Sequence, residues 1–170
     1  MHMLQDRAQA CLLGLALGDA LGAPVEFVPR GRFRPLTGLI GGGKFQVAPG
    51  QWTDDTAMAL CLADSLIECQ GFDALDQMQR YERWVDEGYN ASRPEAFGIG
   101  KTVLEALIAF KRSGKPYSGR TEPRFSGNGS LMRIAPIAIV HLQQPQQAWE
   151  AAALSSRITH GAVACVQACQ

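Results

Sequence analysis

Apolar residues recur at helical spacing along almost the whole chain, and that periodicity restricts its folds more than any single motif does. Leu4, Ala8, Cys11, Leu12, Leu15 and Ala16 form one stripe, and Ala57 to Leu62 opens a second. Leu75, Met78, Tyr81, Trp84 and Val85 form a third, in which Tyr81 and Trp84 are most simply core residues. Further helices are expected over about 102–112, 134–140, 148–154 and 162–169. No stretch shows sustained β-branched alternation, and no hairpin dipeptide joins two such runs. Six or seven helical segments with glycine-rich connections predict an all-α fold. At 170 residues the chain is expected to form one domain, residues 1–170, with a sizeable core.

Glycine and proline punctuate this pattern. The first helix is expected to loosen or end in Gly18-Asp19-Ala20-Leu21-Gly22-Ala23-Pro24, where Asp19 and Glu26 are acids among small and apolar residues. Taken singly, Asp19 reads as a capping residue and Glu26 as a solvated loop acid. Residues 28–52 are rich in Gly and Pro, and a structureless segment of that length is usually functional or disordered. Placed just before Thr53, it would make a flap over a site. Arg30, Arg32 and Arg34 on it read more readily as solvated than as phosphate contacts. Gly100-Lys101-Thr102 fails the phosphate-loop test, because Glu95 stands where the motif needs glycine and no strand precedes it. A glycine-rich turn feeding a helix can still meet phosphate through backbone amides.

Sixteen basic and sixteen acidic residues cancel, so neither a nucleic-acid nor a membrane-surface partner is expected. No apolar run was expected to reach the roughly 18 residues of a membrane span. The N-terminus lacks a signal peptide's pattern, making the cytoplasm the expected location. Five cysteines without a C-x-x-C read as reduced, mostly buried thiols.

The chemistry gathers in Pro49-Gly50-Gln51-Trp52-Thr53-Asp54-Asp55-Thr56. Thr53 is an N-cap candidate, which places Asp54 and Asp55 in the first helical turn. The helix macrodipole alone favours acids there, by about 0.3–1 kcal/mol each. Adjacent aspartates also repel each other, however, and a cation relieves that repulsion. Carboxylates flanked by hydroxyls are hard oxygen donors suited to Mg²⁺, Mn²⁺ or Ca²⁺ rather than zinc. Downstream, Gly127-Asn128-Gly129 reads alone as a turn that also lets backbone approach a ligand. His160 lies near a helix start, where a satisfied capping histidine is the commoner case.

Taken jointly, Gly14 to Glu26 (GLALGDALGAPVE), Trp52 to Thr56 (WTDDT), Gly127 to Arg133 (GNGSLMR) and Thr159-His160 resemble the ADP-ribosylglycohydrolase family. The resemblance implies an all-α fold around two divalent cations, Mg²⁺ or Mn²⁺. It also implies hydrolysis of the bond between ADP-ribose and a modified acceptor such as arginine, the partner being an ADP-ribosylated protein or small molecule. Thr53, Asp54 and Asp55 match metal ligands, and Glu26, with Asp54 and Asp55, matches the catalytic carboxylates. Ser126, Gly127, Asn128, Gly129 and Ser130 match a loop around the distal ribose and diphosphate. Gly98 and Gly100 match a loop at the phosphates, and His160 a residue near the ADP-ribose. The resemblance further implies a domain of about twice this length, whose later Asp-x-Asp-Thr segment adds the oxygen donors that two cations need. These residues are therefore expected to be the N-terminal half of such a domain, with apolar faces left for association. A non-catalytic ADP-ribose-binding module is the alternative.

Overall fold

The computed structural model describes residues 2–170. Among the described residues seven α-helices follow one another: α1 (His2–Gly22), α2 (Asp54–Glu68), α3 (Ala74–Glu87), α4 (Lys101–Ser113), α5 (Ala135–Val140), α6 (Pro145–Arg157) and α7 (Val163–Cys169). Short 3₁₀ turns span Ala23–Val25 and Pro123–Phe125. Among the described residues there is no strand, only the isolated bridges Gly42–Val47 and Arg120–His160. The all-α expectation holds.

Local chemistry sets several boundaries. The Asp73 carboxylate accepts the Asp76 N–H at 2.8 Å and starts α3. Gly88 and Gly114, both left-handed, end α3 and α4. Pro145 opens α6 at a position where no intrahelical N–H is needed, three residues before the expected start. The largest departure is α1, which continues through Gly18 to Gly22 instead of breaking there. Pro24 then falls in the 3₁₀ turn. Met3–Val25 is consequently long and apolar enough to cross a membrane, contrary to the sequence expectation. In this fold its C-terminal part instead forms a wall of the helical domain.

Helix α2 is the hub. Met58 and Cys61 face one way, into a core with Met78, Tyr81 and Trp84 of α3 and Val103, Leu107 and Phe110 of α4. Leu62 and Leu66 face another, against Ile137 of α5 and Ala151 and Ala152 of α6. A helix buried on several sides must be apolar nearly all round, which explains the run Ala57 to Leu62. Tyr81 and Trp84 are core residues as expected. The thiols conform less well: Cys61 and Cys165 are buried and Cys169 half-buried, but Cys11 and Cys69 are exposed, and all five are free.

Met58 is 0 % exposed whereas Ile67 on the same helix is 69 % exposed. Met58→Ala is expected to lower the free energy of unfolding by about 2–5 kcal/mol. Ile67→Ala should stay within about 0.5 kcal/mol of the parent. Urea unfolding followed by circular dichroism checks both.

Candidate active-site cleft

Asp19 of α1 organises the N-terminus of α2. Thr53 occupies the N-cap position in extended backbone conformation, yet its hydroxyl does not turn back onto its own helix as expected. It donates instead to Asp19 Oδ1 at 2.7 Å, while the Thr53 N–H donates to Oδ2 at 2.9 Å. Thr56 gives Oδ2 both its hydroxyl at 2.6 Å and its N–H at 3.1 Å. One carboxylate thus accepts four hydrogen bonds and caps a helix to which it does not belong. With both threonines held, Asp54 and Asp55 stand in the first turn at the edge of a cleft of about 580 Å³.

Glu26, Thr53, Asp54, Asp55, Gly98, Gly100 and Asn128 all line this cleft. The structure therefore brings together seven of the residues singled out in the sequence. Gly98 has φ +77°, and a Cβ there would stand 2.6 Å from Asp54 Oδ1. Glycine is thus required twice over, for the left-handed backbone and for passage beside a carboxylate. From residues 28–52, Phe33 reaches the cleft wall. Arg30, Arg32 and Arg34 are exposed and do not line it.

The remaining candidates lie next door. Ser126, Gly127, Asn128 and Ser130 line a smaller cavity of about 140 Å³, so Asn128 belongs to both spaces. The Ser130 hydroxyl is buried and accepts from Ser156 Oγ at 2.9 Å. His160 is 2 % exposed and lines neither space. It sits beneath the loop, where a Cβ on Gly129 would meet its Cε1 at 2.6 Å. Its Nδ1 lies 2.9 Å from Thr159 Oγ1. Burial, with the Arg133 guanidinium adding to it, pushes the imidazole down to about 4, so it is neutral at pH 7. Arg133 is itself buried, donating to the Ser155 carbonyl at 2.9 Å and lying over the Tyr81 ring.

Negative charge accumulates in the cleft. Burial first, then Asp55, push Asp54 up to about 7. Burial and then Asp19 push Asp55 up to about 6. Burial, then Asp19, raise Glu26, with Lys44 acting in the opposite sense. No lysine or arginine is among the lining residues. The Thr53 oxygen and the Asp54 and Asp55 carboxylates are hard donors, and their crowded charge is of the kind a divalent cation neutralises. Among the described residues, no group of three or more His, Cys, Asp or Glu is arranged to hold a metal ion.

Asp19 and Phe27, also on the cleft wall, were missed as site residues. For Asp19 a signal existed, since an acid inside a run of small and apolar residues is costly unless it finds partners. Asp19→Asn places an amide N–H₂ against hydrogen-bond donors and is expected to cost about 3 kcal/mol in urea unfolding. Folded Asp54 and Asp55 hold protons more tightly than unfolded aspartates, so stability falls as pH rises from about 4 to about 7. Denaturation midpoints across that range should decline for the parent and flatten in the double variant Asp54→Asn/Asp55→Asn.

The family model of the ADP-ribosylglycohydrolases matches residues 1–170. The ADP-ribosylarginine hydrolase Tri1 of Pseudomonas putida (strain GB-1) is 41 % identical over 165 residues, covering 97 % of this chain and 44 % of that protein. The ADP-ribosyl-[dinitrogen reductase] glycohydrolase of Rhodospirillum rubrum is 35 % identical over 161 residues, covering 92 % of this chain and 52 % of that protein. A solved structure described as an ADP-ribosylglycohydrolase-related protein complex superposes with a TM-score of 0.84 at 40 % identity, covering 99 % of this chain and 54 % of that one. The chain spans about half the length of the curated relatives it matches. With a match along its full length and a fold shared at 40 % identity, this chain belongs to the ADP-ribosylglycohydrolase family.

Proposed function

We propose that this chain forms one wall of the active site of a hydrolase that cleaves the N-glycosidic bond between ADP-ribose and an arginine acceptor with the help of two divalent cations, Mg²⁺ or Mn²⁺. The observation that carries the reading is the convergence of Glu26, Thr53, Asp54, Asp55, Gly98 and Asn128 on one cleft from well-separated parts of the sequence. The arginine acceptor rests on the activity for which a relative 41 % identical to the chain is named, and the chain spans less than half of that protein.

Thr53, Asp54 and Asp55 would hold the cations, which when bound supply positive charge for ribose hydroxyls and acidify water. Glu26 stands on the same wall with a raised pKa and takes the proton that the attacking water loses. Its affinity for that proton comes from its partly desolvated setting and the neighbouring Asp19 charge. Gly98, Gly100 and the loop around Asn128 offer backbone amides to a diphosphate, so binding does not require a basic surface. Asp19 acts through Thr53 and Thr56, keeping the first turn of α2 in place.

A second reading, a non-catalytic ADP-ribose-binding module, is favoured by the lack of a three-carboxylate metal group among the described residues. Calorimetry with ADP-ribose in Mn²⁺, and hydrolysis of ADP-ribosylarginine, separate the two. The enzyme reading expects Mn²⁺-dependent binding, turnover, and loss of at least about tenfold in affinity for Asp54→Asn and Asp55→Asn, one or more charge-assisted contacts each. Binding without turnover leaves the module, and unaltered affinity in both variants sinks the cleft as the ADP-ribose site.

A further inference from the structure

Phe27 follows Glu26 on the cleft wall with φ +65°, a left-handed conformation costly for a bulky residue. Burial does not repay that cost, because the residue is 65 % exposed. The ring is nonetheless held. Its centroid lies 6.1 Å from that of Phe45 in an edge-to-face pair, and Phe45 lies 5.9 Å from Phe97. The Lys44 ammonium stands 4.2 Å from the Phe27 centroid. Lys44 rides on a pinned turn: Gly42 and Val47 exchange backbone hydrogen bonds of 2.7 and 3.0 Å, and a Cβ on Gly43 would stand 2.6 Å from the Pro24 carbonyl oxygen. At the far end of the row, the Arg93 guanidinium lies 3.6 Å from the Phe97 ring. A further exposed ring, Phe33, lines the same cleft.

We propose that Phe27 and Phe33 form the acceptor subsite of this cleft, their exposed ring surfaces receiving the positively charged guanidinium of an ADP-ribosylated arginine. This rests on the function proposed above and adds how the acceptor is chosen. A guanidinium keeps its positive charge when one nitrogen is glycosylated, lies flat on an aromatic face, and is more weakly hydrated than an ammonium. The rings border Glu26, Asp54 and Asp55, so a cation arriving at Phe27 also enters the negative field of the cleft. An uncharged acceptor, such as a serine ether, gains neither contribution. The left-handed residue leaves its ring exposed on the cleft wall.

Calorimetry on the 170-residue chain in Mg²⁺, with ADP-ribose and a non-hydrolysable analogue of ADP-ribosylarginine that keeps the guanidinium as the two ligands, tests this. The parent is expected to bind the arginine conjugate about fivefold more tightly than ADP-ribose, the scale of one partly desolvated cation–π contact. Phe27→Ala and Phe27→Leu should both bring the ratio towards one through weaker binding of the conjugate; leucine retains apolar bulk and so isolates the contribution of the ring. A chain that binds ADP-ribose without preferring the conjugate, or a preference that survives both Phe27 substitutions, overturns the acceptor subsite alone. Failure to bind ADP-ribose at all overturns the functional reading and this proposal with it.

Discussion

The carboxylate of Asp19 ties the two elements on which the cleft depends. Its partners lie 34 and 37 residues away, so the four hydrogen bonds lock α1 to α2 rather than stiffen a local turn. Helix α2 is in turn packed between α3 and α4 on one side and α5 and α6 on the other, so fixing its first turn fixes the turn against the whole core. Neutral groups could cap the helix equally well. An ionised acceptor makes stronger hydrogen bonds, and its charge also raises the carboxyl pKa values of its neighbours in the cleft.

That charge explains why the site looks energetically unfavourable in isolation. Asp54, Asp55 and Glu26 are placed where burial and Asp19 both oppose their ionisation. Groups with elevated carboxyl pKa values that share a cleft are a recurring mark of functional sites, where local stability gives way to chemistry. Gly98 sharpens the point: the chain passes so close to Asp54 that a methyl group would not fit between them. The scaffold meanwhile satisfies the general rules, with apolar faces on α2 to α4 buried and helix ends capped by Asp73, Gly88 and Gly114.

Much of this was legible in the residues. The apolar spacing of Met78, Tyr81 and Trp84 predicts α3 because one face of that helix is buried and the other solvated. Thr53-Asp54-Asp55 announces the mouth of α2 because helix starts favour hydroxyls and acids. Helix α1 was read too short, because Gly14, Gly18 and Gly22 weaken a helix by local propensity while the contacts of Asp19 and Ala20 retain it. Asp19 was read as a cap, which it is, but of a helix that local reading cannot associate with it. The left-handed turn at Phe27 leaves no trace in composition, since nothing about phenylalanine suggests it. His160 reads from its neighbours as a satisfied capping histidine and only the family resemblance sets it near the ADP-ribose; its burial beneath Gly129 is a long-range contact that spacing along the chain does not reveal.

The contact between Gly129 and His160 couples two positions 31 residues apart through volume alone. Since the imidazole fills the space a side chain at 129 would need, neither position can vary freely. A methyl group at 129 becomes tolerable only if 160 shrinks, and a smaller residue at 160 leaves a void that a larger neighbour above it can refill. Across homologous chains the two sites should drift as a matched pair, exchanging bulk at nearly constant total size.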